Sequence, residues 1–309
     1  MAPAGTGRER RRGREPGRRD ERPRGQGCRA TPPSRQAPRC PRPPTAPDGE
    51  RRLGPGIEFL YARNAILEAL RANRRHARYV AVAKGAQVSG TLAHILDLAR
   101  ARGVPVHEVE RQDLDLLVPS HQGVALETSP YPYAADEDLY GLAGPGALYL
   151  LLDLLEDPQN LGTLLRTADA VGVTGVLIPE HRAASVTPAV SAASAGAVEH
   201  LALAQVGNLV QAMETLKERD VWIVGLEDVP EARPFDSVDW LGGLALVVGS
   251  EGRGMRRLVR ERCDYLVRLP IGGHVGSLNA SVAGSIALYH AWRRRSPGAG
   301  ATGATGAER

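Results

Sequence analysis

The sequence lacks several features that would place the chain in a common class. It has only three cysteines, Cys28, Cys40 and Cys263, and neither their odd number nor their spacing fits a disulfide framework or a zinc site. No apolar run approaches the ~20 residues that a transmembrane helix needs. We therefore expect a protein without a membrane segment or a metal, in a reducing, cytoplasmic setting.

The fingerprints of common nucleotide cofactors are also missing. The glycine-rich stretch Gly249-Ser-Glu-Gly-Arg-Gly-Met255 has the spacing GxxGxG, which differs from the dinucleotide motif GxGxxG. It lacks the Lys-Ser/Thr pair of a P-loop, and Glu251 would repel a pyrophosphate. These features argue against nicotinamide and nucleoside triphosphate cofactors and favour a neutral or cationic ligand. The alternative interpretation of the glycines is a tight turn.

Positive charge is concentrated at one end of the chain. Residues 1–52 hold 15 Arg against 6 Asp or Glu, a balance of +9, so the net charge of +4 leaves −5 for the rest. This segment is rich in Pro and Gly, has no aromatic residue and has no apolar core for a signal peptide. We predict disordered tails over residues 1–54 and 296–309. The first tail either attracts RNA phosphates or has no specific role, and an overextended start site is a further alternative.

The remaining sequence predicts two α/β units. In residues 55–128, a helical pattern is followed by predicted strands at 79–83, 104–109 and 124–127 and a helix at 91–102. Residues 129–146, with prolines, tyrosines and acidic residues, are predicted to be a linker. Strands and helices alternate from 147 to 295, and this alternation predicts parallel βαβ units.

The first polar loop of the second unit is Glu156-Asp-Pro-Gln-Asn160, between a predicted strand and a helix. We predict that Asn160 is the N-cap, at the carboxyl end of the strand, where ligands bind in open α/β sheets. Arg166 lies about 9 Å further along the helix axis, and its side chain leans back toward the helix start. It either reaches the same space or forms an ion pair, for example with Asp169.

A third loop, Ile271-Gly-Gly-His-Val-Gly276, precedes an apolar helix. Its glycines permit positive φ and a close approach to a planar ligand. Ser277 and Asn279 are predicted at the helix start, where side-chain oxygens cap free N–H groups. An apolar slot edged by backbone donors and acceptors suits an adenine ring better than a phosphate. The predicted apolar walls are Leu269, Ile271 and Leu278.

Together, the three loops resemble the signature motifs of the SpoU (TrmH) family of RNA ribose 2'-O-methyltransferases, in the SPOUT superfamily. The motifs are Asp157-Pro-Gln-Asn-Leu-Gly162 with Arg166, Leu246-Val-Val-Gly-Ser-Glu-Gly252, and Leu269-Pro-Ile with Ser277-Leu-Asn-Ala-Ser281. The likeness extends over residues 57–294. The first unit, with His121-Gln-Gly-Val124, resembles the ribosomal-protein-like RNA-binding domain of bacterial 23S ribosomal RNA guanosine 2'-O-methyltransferases.

This resemblance implies a C-terminal parallel sheet with a deep trefoil knot, preceded by a small RNA-binding α/β domain. It also implies a homodimer that binds S-adenosylmethionine, with active sites at the dimer interface and Arg166 supplied by the partner subunit. The implied cofactor contacts are Gly249, Leu269, Ile271 and Leu278. The implied catalytic residues are Asn160, Arg166, Glu251, Ser277 and Asn279. Because a guanidinium stays protonated, stabilising a developing alkoxide is an easier role for Arg166 than that of a base.

The predicted reaction is methyl transfer from S-adenosylmethionine to the ribose 2'-hydroxyl of a guanosine in 23S ribosomal RNA. The alternatives are transfer RNA or another ribosomal nucleotide, such as the adenosine methylated by thiostrepton-resistance enzymes, and a non-catalytic ribosome-assembly factor. Basic residues of the first unit are candidates for RNA binding, although a solvated helix face would also explain them. They are Arg63, Arg71, Arg74, Arg75, Arg78 and Lys84.

Overall fold

The computed structural model describes residues 56–295 except residues 119, 182 and 275. The two predicted tails, together with Cys28 and Cys40, lie outside the described residues. Within the described part of the chain, no helix combines the length and the apolar character needed to cross a bilayer.

The first unit is a four-stranded sheet with helices. Its elements are β1 (Glu58–Leu60), α1 (Arg63–Ala72), β2 (Ala77–Ala83), α2 (Thr91–Ala101), β3 (Val106–Val109), α3 (Arg111–Leu117) and β4 (Val124–Thr128). The strand order is β1-β4-β2-β3, with β4 antiparallel to both neighbours and β2 parallel to β3. Helices α1 and α2 bury Ile66 and Ile95 against β2 and β4. The short helix α3 was not predicted, because seven residues carry too little periodicity.

The second unit is built on a seven-stranded sheet. Its elements are α4 (Asp136–Tyr140), β5 (Leu148–Asp153), α5 (Pro158–Ala170), β6 (Gly175–Pro179), α6 (Pro188–Ala193), β7 (Leu203–Val206), α7 (Leu209–Lys217), β8 (Val221–Leu226), β9 (Arg233–Pro234), β10 (Gly243–Gly249), α8 (Arg257–Glu261), β11 (Tyr265–Arg268) and α9 (Ala280–Arg295). The strand order is β7-β6-β5-β10-β8-β11-β9, and every pair is parallel. The predicted parallel sheet is confirmed. The trefoil knot stays a prediction.

Helices cover both faces of this sheet, which explains why its central strands are continuous apolar runs. Every residue of β5 and β10 is buried. On one face α5 and α9 pack closely against each other: a Cβ at Gly284 would lie 2.6 Å from Leu164 Cδ2, so a larger residue would force that side chain to move. On the other face α7 and α8 cover a second apolar cluster.

The parallel strands bring the three predicted loops to one edge. The last residues of β5 and β10, Asp153 and Gly249, are register partners. Strand β11 lies two places from β10, with β8 between them. Because the carboxyl ends of parallel strands share an edge, the loops after β5, β10 and β11 lie side by side, as the three motifs predict.

A buried ion-pair network joins the two units. Arg75, 5% exposed, forms a bidentate pair with Glu199 at 2.8 and 2.9 Å, and a third contact of 2.7 Å to Glu58. Burial alone would lower the pKa of Arg75, but the hydrogen bonds and charges of Glu199 and Glu58 raise it above its usual value. The neighbouring Arg74 donates to the carbonyls of Pro132 and Leu201.

Arg75 is therefore unavailable for RNA, and its place among the RNA-binding candidates is wrong. Arg74 is exposed and stays a candidate, although its guanidinium also bonds to carbonyls of the second unit, because this end of α1 packs against the segment around Glu199. The residues predicted as a linker include the helix α4 and the buried Tyr131, whose hydroxyl donates to the Leu201 carbonyl at 2.8 Å.

Cys263 has a free thiol, which donates to the carbonyl of Val259 at 3.3 Å. Burial raises the pKa of Cys263 to about 12. The thiol is therefore protonated at neutral pH and serves as a packing group.

Candidate active site

The first loop places Asn160 differently from the prediction. The N-cap of α5 is Asp157, whose carboxylate accepts hydrogen bonds from the backbone N–H groups of Gln159 and Asn160, each at 3.2 Å. The prediction that Asn160 is the N-cap is wrong because Asp157 and Pro158 are a strong capping residue and a favoured first helical residue. Asn160 lies inside the helix, and its side-chain amide is free to bond elsewhere.

The Asn160 amide connects all three loops. Its Nδ2 donates to Glu251 Oε2 at 3.0 Å, and its Oδ1 accepts from Asn279 Nδ2 at 2.9 Å. Asn279 Nδ2 also lies 3.4 Å from Glu251 Oε2. Asn160 is 7% exposed, whereas Asn279 is half-buried and Glu251 is exposed, so the network runs from the interior to the surface. Three residues that the sequence predicts as one site therefore meet.

The start of α9 completes the network. Asn279 Oδ1 accepts from the backbone N–H groups of Ser281 and Val282 at 2.9 and 3.3 Å, so Asn279 caps the helix as predicted. Ser281 Oγ lies 2.6 Å from Asn279 Oδ1 and 3.1 Å from Asn160 Oδ1. Buried Ser281 was not among the predicted site residues. Its position two residues after a capping Asn is the signal that could have identified it.

The second loop is a tight hairpin stabilised by its glycines. Ser250 and Gly254 pair in an antiparallel bridge, and Gly252 and Gly254 have φ of +78° and +67°. A Cβ at Gly249 would lie 2.4 Å from the Gly254 carbonyl carbon. Here the glycines are required for a turn and a close backbone approach.

The third loop uses its glycines differently from the prediction. Among its described residues, Gly272 and Gly273 do not have positive φ, and a Cβ on either would meet no atom within 4 Å. Neither the left-handed conformation nor a close contact is present. The structure shows that the glycines with positive φ near this site belong to the second loop.

Two acidic residues that the sequence did not single out anchor the second loop. Asp153, fully buried at the end of β5, accepts from Arg256 N and Nε, both at 2.7 Å. Glu227, just after β8, accepts from Met255 N at 3.2 Å. Each follows an apolar strand at the binding edge of the sheet, and that position is the signal that could have found them.

A cavity of about 480 Å³ opens between the second and third loops. All four predicted cofactor contacts line it, namely Gly249, Leu269, Ile271 and Leu278. Predicted catalytic residues Glu251, Ser277 and Asn279 line it too. Its apolar walls suit a planar ring, and its charged lining residues have both signs. They are the carboxylates of Glu227, Asp228 and Glu251 and the guanidinium groups of Arg253 and Arg268. The cavity fits the predicted planar ring, while its lining charges do not select between a neutral and a cationic ligand.

Arg166 lies outside this network. It is exposed, and none of the described residues forms an ion pair with it, Asp169 included. At about 100° per residue, its side chain lies about 120° around the helix from Asn160, on the solvent face with Gln159 and Thr163. The prediction that Arg166 reaches the site of its own chain is not supported by this geometry.

Comparisons with known proteins match both units of the chain. The family model described as "SpoU rRNA Methylase family" matches residues 147–289, and that described as "RNA 2'-O ribose methyltransferase substrate binding" matches residues 59–134. A Bacillus subtilis protein named as a TrmH family tRNA/rRNA methyltransferase is 42% identical over 78% of this chain and 97% of its own length.

A second relative and a solved structure cover most of the chain. The 23S rRNA (guanosine-2'-O-)-methyltransferase of Pseudomonas putida is 38% identical over 77% of this chain and 97% of its own length. The crystal structure of a SpoU methyltransferase from Streptomyces viridochromogenes, in complex with AdoMet, has the same fold. Its TM-score is 0.65 at 24% identity, over 79% of this chain and 92% of that chain. As the three motifs predict, the chain belongs to the SpoU rRNA methylase family, whose members are S-adenosylmethionine-dependent RNA 2'-O-ribose methyltransferases.

Proposed function

We propose that the protein transfers a methyl group to the ribose 2'-hydroxyl of a guanosine in 23S ribosomal RNA. The single observation that carries this proposal is the network of Asn160, Glu251 and Asn279 at the rim of the apolar cavity. The choice of substrate rests on the Pseudomonas putida relative, whose name specifies this nucleotide and this RNA.

The cavity residues fit S-adenosylmethionine. Leu269, Ile271 and Leu278 would hold the adenine, with backbone groups of residues 249–252 at the ring edge. Glu251 and the neighbouring acids would favour the positive charge of the sulfonium. When bound, this cofactor supplies a methyl group on a sulfonium centre, ready for displacement by an oxygen nucleophile.

The site residues would act chiefly by positioning. A ribose hydroxyl is a poor nucleophile, so the enzyme must align it with the methyl group and assist loss of its proton. Ser277 lines the cavity just before α9, where its hydroxyl can orient the ribose. Asn279 would hold this segment in place through its bonds to Asn160 and to the first N–H groups of α9. The guanidinium of Arg166 stays protonated and would stabilise the alkoxide that develops on the oxygen. The proton would pass to phosphate or water.

Arg166 would reach the site of a partner subunit in a homodimer. Thr167, next to Arg166, lies 2.9 Å from Ser285 on α9 through their hydroxyl oxygens. Beside that contact, α9 exposes an apolar stripe at helical spacing. Its members are Val282, Ile286 and Tyr289, each 42–56% exposed. An exposed stripe of this kind is typical of an interface, and pairing through it would carry Arg166 to the neighbouring subunit.

Methylation of RNA from cells that lack the enzyme tests the proposal. The purified protein is incubated with radiolabelled S-adenosylmethionine and separated large-subunit, small-subunit and transfer RNA. We expect label at one guanosine of the large-subunit RNA, mapped by ribose-methylation sequencing and lowered about 10²-fold in initial rate by Asn279→Ala. Label only on transfer RNA, which the names of other relatives allow, would contradict the substrate. Cofactor binding without label on any RNA would favour the assembly-factor alternative. The cytoplasmic location stays a prediction.

A further inference from the structure

Three charged side chains in the lining of the cavity at the sheet edge have no partner in the described part of the chain. They are Arg253, Asp228 and Arg268, and all three are exposed. None of these side chains forms a hydrogen bond or an ion pair with a residue that the structure describes. The cavity therefore offers a ligand two cations and one anion whose charges the fold does not use.

Unpaired arginines are not the rule in this part of the chain. Between Arg253 and Arg268 in the sequence lie four further arginines, and each of them forms an ion pair with a carboxylate. They are Arg256, Arg257, Arg260 and Arg262. The two arginines that line the cavity differ from these four, although three carboxylates line the same cavity.

The other two lining carboxylates are engaged within the fold. Glu251 accepts a hydrogen bond from the amide of Asn160 at 3.0 Å. Glu227 accepts from Met255 N at 3.2 Å through Oε1, and its Oε2 lies 3.6 Å from Arg260 Nε. Among the described carboxylates of the lining, the negative charge left for a ligand is therefore that of Asp228.

The sheet fixes the order of the three unpaired charges. Arg253 follows β10, Asp228 follows β8 and Arg268 ends β11, and these parallel strands are neighbours in that order. The hairpin that carries Arg253 is closed by backbone hydrogen bonds between Ser250 and Gly254, at 3.0 and 3.1 Å. In strand order, the anion thus lies between the two cations at the edge of the sheet where the cavity opens.

We propose that these charges hold the amino-acid end of S-adenosylmethionine, with Arg253 and Arg268 on its carboxylate and Asp228 on its ammonium group. The inference rests on the proposed function for the place of the cofactor in this cavity. At neutral pH the amino-acid end carries both charges, so a lining of both signs suits it. The guanidinium fork matches a carboxylate in shape as well as in charge. An RNA phosphate fits less well, because the lining carboxylates would repel it.

This arrangement would orient the cofactor from two sides. The apolar walls would hold its ring, and the charges would hold the opposite end of the molecule. Two separate contacts restrict rotation more than one, and methyl transfer depends on the direction of the methyl group.

Calorimetric binding of three ligands to the full chain tests the inference. S-adenosylhomocysteine has the complete amino-acid end, its decarboxylated analogue keeps only the ammonium group, and 5'-methylthioadenosine has neither group. The double variant Arg253→Gln with Arg268→Gln should bind S-adenosylhomocysteine roughly tenfold more weakly. Its affinity for the other two ligands should not fall, because neither carries a carboxylate.

Asp228→Asn should give a different pattern. It should weaken binding of both ligands that carry the ammonium group, by roughly threefold, and leave 5'-methylthioadenosine unaffected. Arg257→Gln is the matched control, since Arg257 is an exposed arginine that does not line the cavity. All three affinities should be unchanged in this control. Retained binding of 5'-methylthioadenosine in every variant shows that the cavity itself is intact.

Unchanged affinity for S-adenosylhomocysteine in the double variant would overturn the inference. So would equal weakening of all three ligands, which would mean that the arginines only support the loops. Loss of RNA affinity without loss of S-adenosylhomocysteine affinity would also overturn it and would assign the arginines to RNA phosphates. If the wild-type chain binds none of the three ligands, the proposed place of the cofactor fails too. Because binding is measured without RNA, failure of methylation would contradict the proposed reaction and leave this result standing.

Discussion

Two cavities of nearly equal volume, about 480 and 490 Å³, differ in the residues that line them. The one at the sheet edge has apolar walls and charges of both signs, three carboxylates together with Arg253 and Arg268. The one in the first unit is lined by Arg63, Lys84 and Arg111 with small and amide side chains, and no carboxylate lines it. The first suits a planar ring that carries polar groups, and the second suits an anion.

This difference shows how one small enzyme can separate two tasks. A small methyl donor with a planar ring and a long polyanionic RNA need different surroundings, so one cavity would serve both ligands poorly. The chain divides them between two units and joins the units through the buried pair of Arg75 and Glu199. Mutations can test the division of tasks and the stability that this buried pair contributes.

The largest effect is expected at the buried ion pair of Arg75 and Glu199, which joins the two units. Arg75→Met should lower the free energy of unfolding by about 3–5 kcal/mol, because it leaves Glu199 charged and buried without its partner. Denaturant unfolding measures this loss. Arg71→Met removes an exposed pair with Glu68 and should cost about 1 kcal/mol or less. The double variant Arg75→Met with Glu199→Gln should recover part of the loss. A loss as small as that of Arg71→Met would show that the buried pair adds little to stability.

The next effect concerns the cofactor cavity. Asn279→Ala removes the hydrogen bond to Asn160 and the helix cap, and we expect kcat to fall by roughly 10²-fold through misplacement of the reactants. RNA affinity should be unchanged. Asn208→Ala is a matched control, since Asn208 caps α7 in the same way and lies outside both cavities. Its cost should be about 1 kcal/mol of stability, with kcat retained. Equal loss of kcat in both variants would reduce the role of Asn279 to capping.

The third prediction concerns Arg166, which belongs to neither cavity of its own chain. Inactive Arg166→Ala and inactive Asn279→Ala subunits are mixed and allowed to exchange. If Arg166 acts in the partner's site, each mixed dimer contains one intact site, and about one quarter of the wild-type activity should return. No recovery, in mixtures shown to contain mixed dimers, would place Arg166 in the site of its own chain.

The smallest effect is expected at Cys263, behind the second loop. A Cβ at Gly225 would lie 2.7 Å from Met255 Cε and 2.8 Å from Cys263 Sγ, which shows how tightly this region is packed. Because burial raises the pKa of Cys263 to about 12, its thiolate is scarce at pH 8 and increases as the pH rises toward that value. Alkylation at Cys263, followed by mass spectrometry, should therefore be slow at pH 8. Cys263→Ala should keep kcat within about twofold. Rapid alkylation at pH 8 would contradict the raised pKa.

The three loops were predictable because each combines local signals that act over a few residues. Apolar runs predict the buried strands, and glycines and capping residues mark the turns that follow them. One detail of these loops, the N-cap of α5, was predicted wrongly. Asp157 and Asn160 are both good capping residues, but Asp157 caps the helix while the Asn160 side chain bonds to Glu251. The predicted roles of the glycines in the third loop were also wrong. Glycine permits a left-handed backbone or a close contact, but the sequence does not show whether the folded chain uses either one.

The basic residues of the first unit show the limit most clearly. In the sequence, one positive charge is all that distinguishes each of Arg63, Arg75 and Lys84. In the structure, Arg75 is buried in an ion pair, whereas Arg63 and Lys84 line a cavity. Arg111 lines the same cavity, but it is not among the basic residues that the sequence singles out. Their environments depend on partners 26 to 124 positions away in the chain. No local pattern carries that information.

By itself, the sequence determined the alternation of strands and helices, the three polar loops at strand ends and the family, because these depend on periodicity and short motifs. Only the tertiary structure decided that Asn160 bonds to Glu251 and Asn279, that Arg166 faces away from them, and that a cationic cavity lies in the first unit. The physical reason is that hydrogen bonds, burial and helix orientation are set by residues distant in the chain, which come together only when the sheets are assembled.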